Sequence, residues 1–206
     1  VGTYNRGELV TERCVASLLS QTYKNIEVIV VGDCCTDDTA ERLAAISDPR
    51  LKFTNMPERG QYPPEGPNRW MVAGTATVNK ALDLAQGDFI CHLDDDDEFM
   101  PDKIEKMVGF MQREQVHFAW HPFECQRHNF SWYVVDSTDL ELGQVTTSSI
   151  FYHRWLKDVH WDVEAWRFGE PGDWNRVRRL KYLGITYARF DEVLIKHYRE
   201  QNQPRF

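Results

Sequence analysis

The chain sorts its apolar residues by two periods. After Asn5-Arg6-Gly7, the positions Val10, Cys14, Val15, Leu18 and Leu19 recur at helical spacing, with Glu8 and Glu12 early, where a helix N-terminus favours acids. This predicts a helix packed on a sheet. The β-branched run Ile26–Val31 reads as a buried parallel strand that ends in Gly32-Asp33-Cys34-Cys35-Thr36-Asp37-Asp38-Thr39. Thr36 or Asp37 can cap the next helix, which carries Ala40, Leu43, Ala44 and Ile46. Leu51-Lys52-Phe53 is a short strand after the Asp48-Pro49 turn. From 57 to 68, Pro57, Pro63, Pro64, Pro67 and two glycines break every period, and such a loop is either functional or mobile. Helical spacing returns from Trp70 to Ala85, Gly87 ends it, and Phe89–Leu93 is a fourth strand. The alternation predicts an α/β fold, a Rossmann-like and mostly parallel sheet with helices on both faces.

Pro101 opens a helix with Ile104, Met107, Val108 and Met111 inward, and Val116–Trp120 is a further strand. Composition shifts near residue 120. The aromatic segment Phe130–Val135 predicts antiparallel strands, a helix follows over 173–183, and a last strand lies near Tyr187. We read one domain over 1–206, with halves of about 1–115 and about 116–206.

Length and composition narrow the function. A chain of 206 residues buries one good core without needing a second domain, and 42% hydrophobic with 27% charged residues is a soluble globular balance. A net charge of −8 argues against a nucleic-acid groove, which wants a basic face. No apolar stretch approaches the roughly 18 residues of a membrane span. Nor is there a signal peptide. Cys14, Cys34, Cys35, Cys91 and Cys125 form no CxxC pair, which fits reduced thiols in a cytoplasmic protein. Val1–Asn5 reads as the end of a strand whose beginning lies upstream.

The chemistry concentrates in Asp94-Asp95-Asp96-Asp97-Glu98, at the end of the fourth strand. An acidic run is commonly a solvated loop, but in open α/β sheets the carboxyl ends of strands are where ligands bind. Four like charges in one turn must stay in water or share a cation. A calcium EF-hand counted from Asp94 needs glycine at its sixth position, where Phe99 stands. Zinc would want clustered His and Cys, and Cys91 and His92 do not supply four ligands. Oxygen ligands on Mg²⁺ or Mn²⁺ fit better.

Four segments then resemble the family 2 glycosyltransferases, whose fold is GT-A: Thr3–Arg6; Ser20–Tyr23 with Asn25–Glu27; Val30–Thr39; and Gly87-Asp88 through the acidic run to Lys103. The resemblance implies sugar transfer from a nucleoside diphosphate donor, taken here as a UDP-sugar, to a glycan or lipid-linked acceptor, with an antiparallel acceptor-side portion. It places Thr3, Tyr4 and Asp33 on the nucleotide base, with Asn5 and Arg6 in the same segment. It makes Asp96 the direct metal ligand and sets Asp94 and Asp95 nearer the ribose, with Asp94 and His197 as further ligand candidates. Gly169–Trp174 resembles the family's acidic motif before a late helix. Asp173 is therefore assigned as general base, with Glu170 in reserve, although an aspartate there also serves as an N-cap. A single base and in-line attack imply inversion at the anomeric carbon.

Arg69 is placed on a diphosphate oxygen or, equally, on the surface. Trp161, Trp166 and Trp174 form either an acceptor platform or core. Gly32, Cys34 and Cys35 depart from the family's usual Asp, Gly and Ser. The Gln-x-x-Arg-Trp motif of processive synthases is missing, which favours single addition, and a lipid-linked acceptor would bring peripheral membrane association. Two rivals stay open, a nucleotidyltransferase and a non-catalytic sugar-nucleotide-binding domain.

Overall fold

The structure is a computed structural model that describes residues 1–199. Strands β1 (Gly2–Thr3), β2 (Val28–Gly32) and β3 (Leu51–Asn55) form a parallel sheet in that order, with Gly2 opposite Val31 and Val28 opposite Leu51. Between β1 and β2 the predicted helix forms in three joined pieces, α1 (Gly7–Leu9), a π-helical turn (Val10–Val15) and α2 (Ala16–Leu19). Helix α3 (Thr39–Ala44) links β2 to β3.

The helix expected over 70–85 is two. Helices α4 (Pro67–Val72) and α5 (Thr75–Leu84) are separated at Gly74, whose φ of 79° lies in the left-handed region that glycine enters without a Cβ penalty. Met71 and Val78 keep the apolar period across this break, so the pattern alone does not reveal it.

Strand β4 (Phe89–Cys91) ends the predicted alternation in a mixed sheet. Together with β6 (Phe118–Trp120), β9 (Ile150–His153) and β10 (Tyr187–Arg189), it forms the order β10-β6-β9-β4. Strand β9 runs antiparallel to both β4 and β6, while β10 runs parallel to β6. A third sheet, in the order β5-β11-β7-β8, joins β5 (Glu98–Phe99), β7 (Phe123–Gln126), β8 (Trp132–Val135) and β11 (Ile195–His197). The expected antiparallel portion is the β7–β8 hairpin, and β11 closes back onto β5, directly after the acidic run.

Helix α6 (Lys103–Glu114) packs on β6 and turns Met107 and Met111 fully into the core cluster that also holds Val28, Phe99 and Ala119. Each such side chain contributes roughly 1.5–3 kcal/mol relative to exposure. Helix α7 (Gly172–Tyr182) packs Val177 and Leu180 on a second cluster with Leu82, Ile150 and Tyr152. The two clusters lie on either side of β4 and β9, so the loop after β4 emerges between two packed layers. One cavity of about 480 Å³, lined by Val28, Phe89 and Ile104, opens between β2 and β4, and none of the carboxylates from 94 to 97 lines it.

Candidate active site

The acidic run is a folded turn. Asp97 donates its N–H to the Asp94 carbonyl at 3.1 Å, which brings the side chains of residues 94 and 97 together and sends 95 and 96 elsewhere. Ligand atoms of Asp94, Asp97 and His197 all lie within 4.8 Å of one another. Asp97 is fully buried and heavily held: it meets His197 Nδ1 at 3.0 Å, the Tyr198 N–H at 3.1 Å and the Ser148 hydroxyl at 2.8 Å. The same hydroxyl accepts the Asp94 N–H at 3.1 Å.

Asp96, expected as the direct ligand, stands outside this trio because Arg6 Nη1 takes its carboxylate at 2.8 Å and reaches Asp95 at 3.1 Å. Arg13 Nη1 fixes the Asp96 carbonyl at 2.7 Å. The turn thus divides its acids between a cationic side chain and a set open to an added cation.

Electrostatics follow from burial. Burial, then the charges of Asp97 and Asp96, raises the Asp94 pKa well above the usual carboxylate range. Burial raises Asp95 against the pull of Arg6, and pushes Asp96 to about 6 with help from Asp97 and Asp95. Burial pulls His197 down, but the Asp97 carboxylate outweighs it and holds the imidazolium up to about 10. A turn that raises its own carboxylates and charges a histidine is short of positive charge, which a divalent ion would supply.

The nucleotide end forms from different elements. Asp33, at the close of β2, is 3% exposed and accepts the Gly60 N–H at 2.7 Å and Arg59 Nη2 at 3.2 Å. The Arg59 guanidinium lies over the Tyr4 ring, 3.4 Å from its centroid. Arg59 therefore joins Tyr4 to Asp33. Thr3 is buried in the β1–β2 ladder beside them.

Asn5 serves as a brace: at φ 50° its Oδ1 accepts the Thr36 N–H at 2.8 Å. Cys34 adopts φ 56° where the family commonly has glycine, and the Cys35 N–H donates to Asn55 Oδ1 at 2.8 Å. The substituted loop so keeps a left-handed turn. Arg69 sits in α4, 5.9 Å from the Tyr62 ring centroid, and among the described residues no hydrogen bond or ion pair joins it to the acidic turn.

Asp173 occupies the first turn of α7, where its Oδ1 accepts the Trp174 N–H at 2.6 Å. It stands inside that turn and not at the N-cap, which is Pro171. Burial raises its pKa, opposed by that N–H and by the charge of His197, which ties Asp173 electrostatically to the acidic turn. Glu170 is otherwise engaged. Arg178 grips it through two bonds of 2.7 and 2.8 Å, Asn175 adds a third at 2.8 Å, and its pKa falls, with Arg178 the main cause. Trp161 is buried against His92 and Arg176, which makes it core.

Glu170→Gln is expected to lower the melting temperature by about 2–4 °C, one charge-assisted pair discounted for its partial exposure, and to leave transfer within about twofold. A thermal melt and an initial-rate assay check both. A collapse of rate with normal stability would return Glu170 to the role of base.

Sequence reasoning missed Asp97 as a ligand candidate, along with Ser148, Tyr198 and Arg59. Asp97 was one of four adjacent identical residues, and only the turn distinguishes them. Arg59 was legible only as part of the proline-rich loop.

An acidic turn after β4, with Tyr4 and Asp33 paired at the ends of β1 and β2, stands at the carboxyl ends of the strands, the arrangement of the GT-A class of nucleotide-sugar transferases. The sequence model of glycosyl transferase family 2 matches residues 1–63 and 67–183, and the chain belongs to that family. The putative colanic acid biosynthesis glycosyl transferase WcaA of Escherichia coli K12 is 30% identical over 172 residues, covering 82% of this chain and 56% of that protein. The E. coli enzyme WfaP, named UDP-Glc:alpha-D-GlcNAc-diphosphoundecaprenol beta-1,3-glucosyltransferase, is 34% identical over 113 residues, covering 55% of this chain and 40% of its own. The chain thus spans about half the length of these curated relatives.

Among solved structures, S. aureus TarS 1-349 in complex with UDP-GlcNAc superposes with a TM-score of 0.75 at 18% identity, covering 98% of this chain and 58% of TarS. The mannosyltransferase PcManGT from Pyrobaculum calidifontis, in complex with GDP-Man and Mn²⁺, gives 0.72 at 17%, covering 98% and 56%. At such identities the likeness shows the shared fold. No helix among the described residues is long and apolar enough to cross a membrane.

Proposed function

We propose that this chain carries out inverting, metal-dependent transfer of a sugar from a UDP-sugar to an acceptor hydroxyl. The observation that carries the reading is the Asp94–Asp97–His197 trio at the end of β4. Two carboxylates and an imidazole are a donor set that suits Mn²⁺ better than Mg²⁺, since imidazole favours the transition metal. The bound ion would neutralise the charge that develops on the departing diphosphate. Asp96 and Asp95 remain with Arg6 and set the turn's shape and the field around the ribose.

Tyr4 offers its ring to the base, and Asp33 accepts an N–H from it. Asp33 Oδ1 receives the Gly60 N–H and Oδ2 the Arg59 Nε and Nη2 donors at 3.3 and 3.2 Å, so a base N–H would share Oδ2 with Arg59 or take its place there. Uracil, with a single ring N–H between two carbonyls, matches that arrangement, and its carbonyls can accept from Arg59. On the opposite flank Asp173 takes the acceptor's proton. Its raised pKa makes it a stronger base than an exposed aspartate. Relatives named for a lipid-diphosphate acceptor favour a lipid-linked glycan at the inner membrane face of the cytoplasm.

Thermal shift with UDP, GDP and nucleotide sugars, each with and without Mn²⁺, tests this. UDP with Mn²⁺ should raise the melting point well beyond UDP alone, since ligand at 100 times Kd stabilises by about 2.7 kcal/mol. A flat response to every nucleoside diphosphate would sink the reading.

A further inference from the structure

The hairpin β7–β8 presents a run of large side chains at the edge of its sheet: Phe130 is 66% exposed, Trp132 36%, Tyr133 38% and Val134 54%. Paired strands fix which of these faces the acidic turn. In the ladder, Tyr133 lies opposite Cys125, and Cys125 lies opposite His197. Directly opposed residues share a sheet face, and adjacent strands are about 4.8 Å apart, so Tyr133 stands on the His197 face roughly 10 Å from it. Trp132 and Val134 alternate to the other face. There Trp132 packs edge-on against Tyr198, at 4.9 Å between centroids.

Arg127, at the hairpin turn, lays its guanidinium 4.7 Å from the centre of the Tyr133 ring. The turn is closed by the Arg127 N–H to the Ser131 carbonyl at 2.8 Å and the Phe130 N–H to the Arg127 carbonyl at 2.9 Å. The pair joins an aromatic ring to a fan of N–H donors, the combination that suits a pyranose with its apolar face and hydroxyl rim.

We infer that Tyr133, with Arg127 over it, is a specificity-determining contact for the acceptor saccharide. This rests on the reading of Asp94, Asp97 and His197 as the donor end of the site. A saccharide ring on Tyr133 lies one sugar's reach from the metal trio, where an acceptor hydroxyl has to arrive. A membrane surface is the poorer occupant. The chain carries a net charge of −8, which anionic lipid headgroups repel, and two arginines near Tyr133, Arg127 and Arg199, fall short of the basic cluster such surfaces recruit.

The test measures UDP release from a UDP-sugar with Mn²⁺, alone and with p-nitrophenyl glycosides of glucose, galactose, mannose and N-acetylglucosamine. Tyr133→Ala should raise the acceptor KM about tenfold, the loss of one aromatic anchor. Tyr133→Phe should restore it. Hydrolysis of donor without acceptor, and UDP affinity, should stay at the parent values. Val134→Ala, at an exposed position on the opposite sheet face, should change nothing. An acceptor KM within twofold of the parent in Tyr133→Ala overturns the assignment. So does a parent protein whose UDP release no glycoside accelerates. Loss of binding to phosphatidylglycerol vesicles by Tyr133→Ala with an unchanged glycoside KM would give the hairpin to the membrane instead. Failure of the donor reading looks different, because the parent would then neither bind UDP nor hydrolyse the donor.

Discussion

Asp173→Asn is expected to lower transfer by about 10²–10⁴-fold, the usual worth of a positioned general base, while UDP binds within twofold of the parent. The amide keeps the side chain's shape and still offers an oxygen to the Trp174 N–H, so α7 should start where it does now. What disappears is the group that takes the proton. Burial holds the Asp173 carboxyl above its ordinary value, and the reaction needs it ionised. Activity should therefore fall with acid at a higher pH than an exposed aspartate would impose, and be complete once pH exceeds the raised value. A rate profile between pH 4 and 8 shows this limb, and Asp173→Asn should flatten it. Parent-like turnover in the variant would leave Asp173 only its local bond within the first turn of α7.

Asp97→Asn should show the second large effect, a loss of more than about 100-fold in the Mn²⁺-dependent part of UDP affinity. Changing an outer group around a metal commonly costs 10–100-fold, and a direct ligand costs more. Asp96→Asn is the informative companion. Its carboxylate is held by Arg6, so its removal should weaken metal binding less than Asp97→Asn does. Titration of UDP with and without Mn²⁺ measures both variants, and the reverse ranking would return the ligand role to Asp96. The metal must also displace the proton on His197, whose pKa stands near 10 with Asp97 beside it. Manganese affinity should accordingly rise with pH across the neutral range, because binding needs the neutral imidazole.

The first half of the fold was legible because its strands are β-branched runs and its helices keep a clean period. Three things were not. The break at Gly74 leaves the apolar period intact. Strand β9 is short, and only its antiparallel docking between β4 and β6 gives Ile150, Phe151 and Tyr152 their place. The assignment within Asp94–Asp97 is invisible in principle, since four identical neighbours differ only once the turn closes. Asp33 and Asp173 could be singled out because no identical neighbour competes with either for a role. The site was unreadable where partners come from distant chain, as with Arg59 on Tyr4 and Tyr198 on Asp97.

The two ends of the site also differ in when they can exist. Tyr4, Asp33, Arg59 and Gly60 lie within the first 60 residues, and their contacts need only β1 to β3 and the loop after them. His197 reaches Asp97 across 100 residues of chain, through a strand that pairs with β5 and β7, near the middle of the sequence. Contacts of such separation form late in folding, after their loop entropy has been met by other packing. During refolding, affinity for the uridine moiety should therefore appear before affinity for manganese, and the ion becomes a reporter of the last strand coming home.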